Sequence, residues 1–123
     1  MKAWKGSWIR LNCKKVISLI GLSMKAGKIA SGEFAAEKAV KTGKAWLVIV
    51  SQEASDNTKK KFSNMCTYYQ VPYYEFGGKE ELGAAIGKEF RASLAVTDEN
   101  LASALKKQLD MAAALSWAEK GWW

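Results

Sequence analysis

The sequence predicts a single α/β domain built as a three-layer α/β/α sandwich, and two observations lead to that class. Helical segments with one apolar face alternate along the chain with short apolar segments that fit buried strands. The 123 residues are enough to bury one hydrophobic core, and no internal repeat, low-complexity stretch or long linker interrupts them. The helices are therefore expected to cover both faces of one sheet.

The clearest pair of elements is a helix followed by a buried strand, within residues 31–51. Ser31 or Gly32 is suited to the start of the helix, and Gly43 lies just past its end. At 100° per residue, the small apolar residues share one face: Ala36, Ala39, Val40 and Gly43. The opposite face carries Phe34, Lys38 and Lys41. If the apolar face packs on the sheet, an aromatic ring and two ammonium groups point into solvent beside the start of the helix.

The remaining elements follow from periodicity and from the residues that begin and end them. Asn12 is suited to begin the first helix, and Gly27 is suited to end it. Ser55 or Asp56 begins the second long helix, and Pro72 opens a strand, where its missing N–H is tolerated. The further predicted elements are helix 12–26, strand 28–30, helix 55–69, strand 73–76, helix 79–86, strand 93–96 and helix 97–119.

The net charge of +7 is concentrated near the amino terminus. Residues 1–32 hold seven lysines and arginines and no acidic residue, whereas the twelve basic and twelve acidic residues that follow cancel. A one-sided basic segment suits the phosphate backbone of a nucleic acid or another anionic surface. A solvated amino-terminal segment without a partner is the alternative that the sequence leaves open.

What the sequence lacks argues against several classes of enzyme. The chain has no histidine, and Cys13 and Cys66 lie far apart, so neither a Cys/His zinc site nor an imidazole-dependent triad is expected. The glycine pair at 77–78 lacks the spacing of a phosphate-binding loop. Glu33 and Glu37, spaced i, i+4, are expected to repel mildly and to be solvated rather than catalytic. We therefore expect a binding protein that is no enzyme and holds no metal or cofactor.

The cysteines and the apolar runs also suggest a compartment. No apolar run approaches the roughly 20 residues that a membrane helix needs. A disulfide between Cys13 and Cys66 is arithmetically possible, but Cys66 falls on an apolar helix face, which favours a reduced chain. We expect a cytoplasmic protein that does not bind membranes.

Tryptophan is concentrated at the two ends of the chain: Trp4, Trp8, Trp117, Trp122 and Trp123. Three regions are expected, namely a basic, Trp-containing extension (1–13), the α/β/α domain (14–109) and a Trp-rich carboxyl-terminal helix and tail (110–123). Because exposed tryptophan is unfavourable, the ends are expected to pack on the domain or on each other, or to mediate self-association. A base-stacking surface is the other alternative.

Many short segments in register resemble one protein family. They are LIGL (19–22), AGK (26–28), SGE (31–33), KAV (38–40), KAWLV (44–48), EASDNTKKK (53–61), CTYYQVPY (66–73), LGAAIGKE (82–89) and AVTD (95–98). Over about residues 14–109 the chain resembles the family of ribosomal proteins seven-Ae and thirty-e, the kink-turn RNA binders, and within it the small bacterial YlxQ-type members. This resemblance implies an α/β/α sandwich around a mixed four-stranded sheet.

The resemblance also implies RNA binding by three loops and one helix start. The family's fingerprint at that helix start is Gly-x-Asn-Glu-x-x-Lys, in which the Asn and Glu read the guanines of tandem sheared G·A pairs. In this chain Gly32 and Lys38 match the fingerprint, whereas Phe34 and Ala35 stand where the family has Asn and Glu. The glycine lets backbone approach RNA closely, and the lysine supplies charge. Glu33 is a neighbouring hydrogen-bond acceptor, and one hypothesis is that it takes the place of the missing base-reading residues.

Two further loops complete the implied surface. Glu53 matches an acidic residue that the family carries after the central strand, although Glu53 also lies near a helix start, where capping explains it. In the loop before the last strand, Phe90 is expected to stack on a base and Arg91 to bind phosphate, unless Phe90 faces the core. The candidate RNA-binding residues are Lys28, Ser31, Gly32, Glu33, Phe34, Lys38, Lys41, Glu53, Phe90 and Arg91.

The sequence thus predicts a non-enzymatic protein that binds kink-turn or similar structured RNA and is associated with ribosomal or other structured RNA. The alternative is a protein-interaction module on the same fold, with RNA specificity lost or weakened, which the missing Asn-Glu pair and the Trp-rich ends suggest.

Overall fold

The computed structural model describes the backbone of residues 2–119 and the side chains of residues 13–112. In this part of the chain the helices are α1 (Lys2–Lys25), α2 (Glu33–Lys41), α3 (Asp56–Tyr69), α4 (Lys79–Ala85) and α5 (Glu99–Glu119). The strands are β1 (Ile29–Ser31), β2 (Leu47–Val50), β3 (Tyr73–Glu75) and β4 (Ser93–Val96). Helices and strands alternate as the sequence predicts.

The four strands form one mixed sheet in the order β1-β4-β2-β3. β4 is antiparallel to both of its neighbours, and β2 is parallel to β3. Strands β1, β2 and β3 therefore point the same way, and their carboxyl ends lie at one edge of the sheet, where β4 begins. We call this the carboxyl edge, and we call the opposite edge, where β1, β2 and β3 begin, the amino edge. The predicted mixed four-stranded sheet is confirmed.

Two apolar cores lie on opposite faces of the sheet, which gives the three layers. Alternate residues of β2 point to each core, as the period of two in a strand requires. Helices α1, α4 and α5 cover one face, where buried residues include Val16, Ile20, Leu47, Ile49, Leu82, Leu94 and Leu105. Helices α2 and α3 cover the other face, where buried residues include Ala36, Ala39, Val40, Val48, Val50, Phe62 and Cys66. The three-layer α/β/α sandwich is confirmed.

Helix α2 and strand β2 form as their sequences predict. Gly32 is the N-cap of α2. Gly43 has a φ of +75°, the left-handed conformation that favours glycine after a helix end. The small apolar face of α2 is buried against the sheet, so its opposite face is solvent-exposed.

Helix α1 begins earlier than the sequence predicts. The structure starts it at Lys2, so Asn12 lies inside the helix and does not cap it. Asparagine favours caps because its side chain can bond to nearby backbone, but that preference is weak and is overridden when helix-compatible residues precede it. Gly6, the poorest helix former in this stretch, costs only about 1 kcal/mol relative to alanine.

The predicted division of the chain at residues 13 and 109 falls inside α1 and α5, which pack against each other. The terminal tryptophan side chains lie outside the described side chains, so the predicted roles of the Trp-rich ends stay predictions. No helix in residues 2–119 combines the length and the apolar character that crossing a membrane requires.

Both cysteines are free thiols, so no Cys13–Cys66 disulfide is present. Cys66 is buried between α3 and the sheet, and this burial raises the pKa of its thiol to about 11. The thiol therefore stays protonated near neutral pH and behaves as a small apolar side chain.

Candidate nucleic-acid interface

The carboxyl edge of the sheet gathers the helix start and the loops that the sequence analysis singled out. The N–H of Gly32 donates to the carbonyl of Ser93 at 2.9 Å, which joins the start of α2 to the start of β4. The N–H of Ser51 donates to the carbonyl of Ala92 at 2.8 Å, which joins the loop after β2 to the loop before β4. These segments therefore form one continuous surface.

The turn after β3 belongs to the same surface. The N–H of Gln52 donates to the carbonyl of Gly77 at 2.9 Å, and the N–H of Arg91 donates to the carbonyl of Lys79 at 3.1 Å. The hydroxyl of Ser51 also donates to the Gly77 carbonyl, at 3.0 Å. The sequence predicts only a turn at the glycine pair 77–78, because the strand order that brings this turn to the surface is not visible in the sequence.

The start of α2 is open toward solvent. Gly32 has a φ of +94° and a ψ of 160°, a combination that is essentially limited to glycine. A Cβ on Gly32 would meet nothing within 4 Å, so glycine is required here for its backbone conformation and not for lack of space. No side chain among the described residues caps this end, so the N–H groups of the first turn and the positive end of the helix dipole face an open space.

The face of α2 that points away from the sheet carries the predicted aromatic and basic side chains. Phe34 is 83% exposed, and Lys38 and Lys41 are exposed as well. The Lys41 ammonium lies 2.7 Å from a carboxylate oxygen of Glu37. The Lys38 ammonium makes no hydrogen bond or ion pair with any residue that the structure describes. Lys38 is therefore the more available cation of the two.

The acidic pair on α2, Glu33 and Glu37, forms ion pairs that the sequence alone did not predict. Lys61 of α3 bridges the pair: its ammonium lies 3.4 Å from Glu33 and forms a second, closer ion pair with Glu37. Hydrogen bonds from Lys41 and then from Lys61 lower the pKa of the Glu37 carboxyl to about 2. Lys61 offsets the mild repulsion expected between these acids, and this lysine comes from the neighbouring helix, which the periodicity of α2 does not reveal.

Glu53 and the start of α4 are joined by a side-chain hydrogen bond. A carboxylate oxygen of Glu53 accepts from the N–H of Lys79 at 2.7 Å, and Glu81 accepts from the N–H of Gly78 at 2.9 Å. Glu53 therefore satisfies the start of α4, whereas the next helix along the chain, α3, is capped by Ser55. Carboxylates at a helix N-terminus are stabilised by the dipole, so these acids hold the loops in place.

Phe90 faces solvent and not the core, so the core-facing alternative is wrong. It is 55% exposed and borders a cavity of about 540 Å³ that is also lined by Glu53, Gly78, Lys79 and Glu80. That volume falls within the range of small-molecule sites, roughly 300–1,000 Å³. The half-buried Arg91 donates from its guanidinium to the Phe90 carbonyl at 2.7 Å, which fixes the backbone of this loop.

The loop that carries Phe90 is held close to α4. A Cβ on Gly83 would lie 2.5 Å from the Glu89 carbonyl oxygen, so only glycine at this position allows the loop backbone to pack on the helix. The sequence analysis did not assign Gly83, Gly78 or Lys79 to the surface.

Lys41 and Lys28 are the candidate residues that the structure does not bring to the carboxyl edge. Lys41 ends α2, whose carboxyl end leads to the amino edge. Lys28 also lies away from the carboxyl edge. Its carbonyl accepts from the N–H of Thr97, which follows β4, so Lys28 lies at the amino edge. Ser31, at the other end of β1, is half-buried and lies directly before the start of α2. Lys28 and Ser31 are three residues apart in the sequence, but a strand carries them to opposite edges of the sheet.

The described part of the chain contains no group of three Cys, Asp or Glu side chains arranged to hold a metal ion. The polar groups of the carboxyl edge are instead bonded to each other and to backbone.

Comparison with known proteins agrees with the resemblance. Residues 14–106 match the Ribosomal protein L7Ae/L30e/S12e/Gadd45 family. The chain is 42% identical over 92 residues to the RNA-binding protein YlxQ of Bacillus subtilis (strain 168), covering 75% of this chain and 92% of that protein. It is 36% identical over 99 residues to the RNA-binding protein YlxQ of Enterococcus faecium, and this match covers 80% of this chain and 95% of that protein.

A solved structure of a Bacillus halodurans protein of unknown function superposes with a TM-score of 0.76 at 38% identity. It covers 78% of this chain and 97% of that one. The family match extends over more than half of the chain, and the YlxQ proteins share more than 30% identity over most of their length. This chain is therefore a member of the ribosomal protein L7Ae/L30e/S12e/Gadd45 family.

Proposed function

We propose that the chain is a non-enzymatic RNA-binding protein that binds structured RNA of the kink-turn type through the carboxyl edge. Its setting is the cytoplasm, in association with ribosomal RNA. The observation that carries the proposal is the start of α2 at Gly32, which no described side chain caps, with the exposed Phe34 beside it and Lys38 unpaired among the described residues. The similarity to proteins named RNA-binding YlxQ supports it.

The α2 start supplies the contact to the RNA backbone. Its first-turn N–H groups and the helix dipole attract a phosphate oxygen, and the open space in front of Gly32 lets the backbone approach closely. Lys38, one turn after Phe34 on the exposed face of α2, adds a cation that forms no ion pair with the described residues. Together these groups bind the sugar-phosphate backbone at a fixed place.

Two exposed aromatic rings supply the contacts to bases. Phe34 and Phe90 are both exposed at the carboxyl edge, and unstacked bases of RNA loops and bulges stack on such rings. The cavity beside Phe90 is large enough for one extruded nucleotide. Phe90 stacks on a base, as the family resemblance implies. Arg91 fixes the backbone of this loop and also carries a positive charge that attracts phosphate.

Base reading by hydrogen bonds is weaker in this chain than the family's fingerprint implies. Phe34 and Ala35 carry no polar side-chain atom, and the carboxylates of Glu33 and Glu37 are engaged by Lys61. Each good hydrogen-bonded base contact is worth roughly 1–3 kcal/mol of discrimination. We therefore expect recognition by RNA shape and backbone geometry, with modest sequence preference.

A gel-shift titration with a kink-turn RNA and with the same RNA lacking its G·A pairs tests the proposal. We expect tighter binding to the intact kink-turn, and weaker binding by Lys38→Ala at low salt. Lys107→Ala is the matched control, because it removes the same charge from an exposed position on α5. Equal binding to both RNAs, or no binding to either, would contradict kink-turn recognition.

A protein-interaction module remains the second candidate, and the exposed rings are the observation that favours it. Large exposed apolar side chains such as Phe34 are typical of interaction surfaces. Under this alternative Phe34→Ala abolishes binding to a protein partner, and salt-dependent RNA binding is absent. Sedimentation of the purified protein with and without the kink-turn RNA separates the two candidates.

A further inference from the structure

A second exposed aromatic surface lies at the amino edge, away from the surface described above. A cleft of about 200 Å³ opens between the carboxyl ends of α2 and α3. The residues that shape it are Val40, Gly43, Trp46, Tyr69, Gln70 and Pro72, and we call it the Trp46 cleft. None of the candidate RNA-binding residues lines it.

Aromatic rings dominate the exposed surface of the Trp46 cleft. Trp46 is 48% exposed, and Tyr69 is exposed as well. Tyr68 packs edge-to-face on Tyr69, with ring centroids 4.9 Å apart and an interplanar angle of 80°. Keeping three large rings partly in water is unfavourable, so a surface of this kind is typical of a site that is covered in a complex.

Hydrogen bonds hold the backbone around the cleft in one conformation. The N–H of Trp46 donates to the Val96 carbonyl at 2.8 Å, and the N–H of Val48 donates to the Pro72 carbonyl at 2.9 Å. Gln70 ends α3 in the left-handed conformation, with a φ of +58°, and its N–H bonds back to the helix. Binding at the cleft therefore needs no ordering of the backbone, which lowers its entropic cost.

The charge available next to the cleft is positive. In the two segments that line it, residues 40–48 and 69–74, the charged residues are Lys41, which is paired with Glu37, and Lys44. Lys44 is exposed and makes no ion pair or hydrogen bond through its side chain with the residues described. Lys28 lies at the same edge, and the nearby Asp98 is engaged in capping α5. The carboxyl edge, by contrast, mixes lysines with several acids.

We propose that the Trp46 cleft binds single-stranded RNA, with one base stacked on Trp46 and the adjacent phosphates held by Lys44 and Lys28. Stacking on aromatic side chains beside a basic track is how single strands are bound without sequence preference. A cleft of 200 Å³ is below the roughly 300 Å³ of ordinary small-molecule sites, so it suits one ring system. A protein ligand docking as a helix needs a longer groove that accepts several side chains.

The two surfaces are separate but close enough for one RNA to contact both. Trp46 and Ser51 lie at opposite ends of β2, about 16 Å apart at 3.3 Å per residue. An RNA whose folded part lies on the carboxyl edge can therefore extend a single strand along the protein to the Trp46 cleft. This inference rests on the proposed function in one respect only, namely that the ligand of the protein is RNA.

Fluorescence anisotropy of a labelled ten-nucleotide oligo(A), at 50 mM salt, tests the inference. We expect Trp46→Ala to weaken binding by at least about 5-fold, the lower end of the cost of removing one stacked base. Trp46→Phe keeps a ring and is expected to retain most of the affinity. Lys44→Ala is expected to reduce the slope of log affinity against log salt concentration by about one, because one phosphate contact is lost. Lys107→Ala is the control on α5.

The outcomes separate this inference from the proposed function. Loss of oligo(A) binding in Trp46→Ala but not in Lys38→Ala supports the inference, even if the kink-turn RNA fails to bind. Equal oligo(A) affinity of Trp46→Ala and Lys107→Ala overturns it, and so does an oligo(A) affinity that depends on Lys38 as strongly as on Trp46.

Two further measurements cover the remaining outcomes. In the wild-type protein, oligo(A) is expected to shift the backbone amide resonances of Gly43 and Gln70, so the inference can be tested even if a variant does not fold. Absence of such shifts at saturating oligo(A) contradicts it. Sedimentation that shows self-association lost on Trp46→Ala, together with no oligo(A) binding, would instead assign the cleft to a protein contact and overturn the inference.

Discussion

Replacing Gly32 by alanine tests whether the start of α2 is the RNA contact. The φ of +94° and ψ of 160° at Gly32 are strained for any residue with a Cβ, although the added methyl group would meet no protein atom. Strain of this kind costs about 1–3 kcal/mol. If the first turn of α2 rearranges to relieve it, the bond from the Gly32 N–H to the Ser93 carbonyl is lost, which costs a further ~1 kcal/mol.

Gly27→Ala provides a matched control. Gly27 also has a positive φ, +72°, and a Cβ there would likewise meet nothing within 4 Å, but it lies at the amino edge after α1. An alanine in the left-handed region costs roughly 1–2 kcal/mol. Both variants are therefore expected to lower the free energy of unfolding in urea by comparable amounts and to remain folded in the absence of denaturant.

The RNA affinities of the two variants are expected to differ. Gly32→Ala places a methyl group, or a rearranged turn, in the space where a phosphate would approach, and a loss of about tenfold or more in affinity for a kink-turn RNA is expected. Gly27→Ala is expected to bind like the wild type in the same gel-shift titration. If Gly32→Ala binds the kink-turn as tightly as Gly27→Ala does, the reasoning about the α2 start is refuted.

Three further predictions concern the acidic pair, the fingerprint and the buried thiol. Because the pKa of Glu37 is lowered to about 2 from an ordinary value of 4.5, its stabilising ion pairs are complete above about pH 5 and are lost as the pH falls toward 2. Glu37→Gln should therefore be less stable than wild type by up to about 1 kcal/mol at pH 7, and in urea unfolding curves the difference should shrink below pH 4.5 and disappear as the pH falls below about 2. The double substitution Phe34→Asn, Ala35→Glu restores the family's fingerprint and should raise the ratio of affinities for intact and G·A-disrupted kink-turn RNA by about tenfold or more in gel shifts; an unchanged ratio would show that other residues limit discrimination. In a Cys13→Ser background, Cys66 should react with a thiol reagent at pH 8 only after unfolding, because burial raises the pKa of its thiol to about 11, and rapid reaction of the folded protein would contradict that burial.

The elements of the fold follow closely from the sequence because their signals are local. The apolar face of α2, the cap at Ser55 and the strand start after Pro72 all depend on residues within one or two turns of each other. The start of α1 was predicted wrongly for the same reason, since the preference of Asn12 for a cap is a weak local signal. Nothing near Asn12 in the sequence opposes a longer helix strongly enough to end it.

The candidate surface could be predicted only in part, because it depends on contacts between elements. The exposure of Phe34 and Lys38 follows from helical periodicity within α2. The pairing of Glu37 with Lys61 needs the position of α3 next to α2, and the location of Lys28 needs the direction of β1 in the sheet. These facts come from the three-dimensional arrangement, which periodicity and spacing do not contain.

Amide hydrogen exchange with and without a kink-turn RNA tests most directly whether the RNA lies on the carboxyl edge. The first-turn amides of α2, at Glu33, Phe34 and Ala35, are expected to exchange more slowly in the complex, because they face an open space in the free protein and would bond to phosphate oxygen in the complex. The amides of α5 on the opposite layer serve as the internal reference. Protection of the α2 start with no change in the α5 reference is the predicted result, whereas a saturated complex in which these three amides exchange as in the free protein would contradict the assignment.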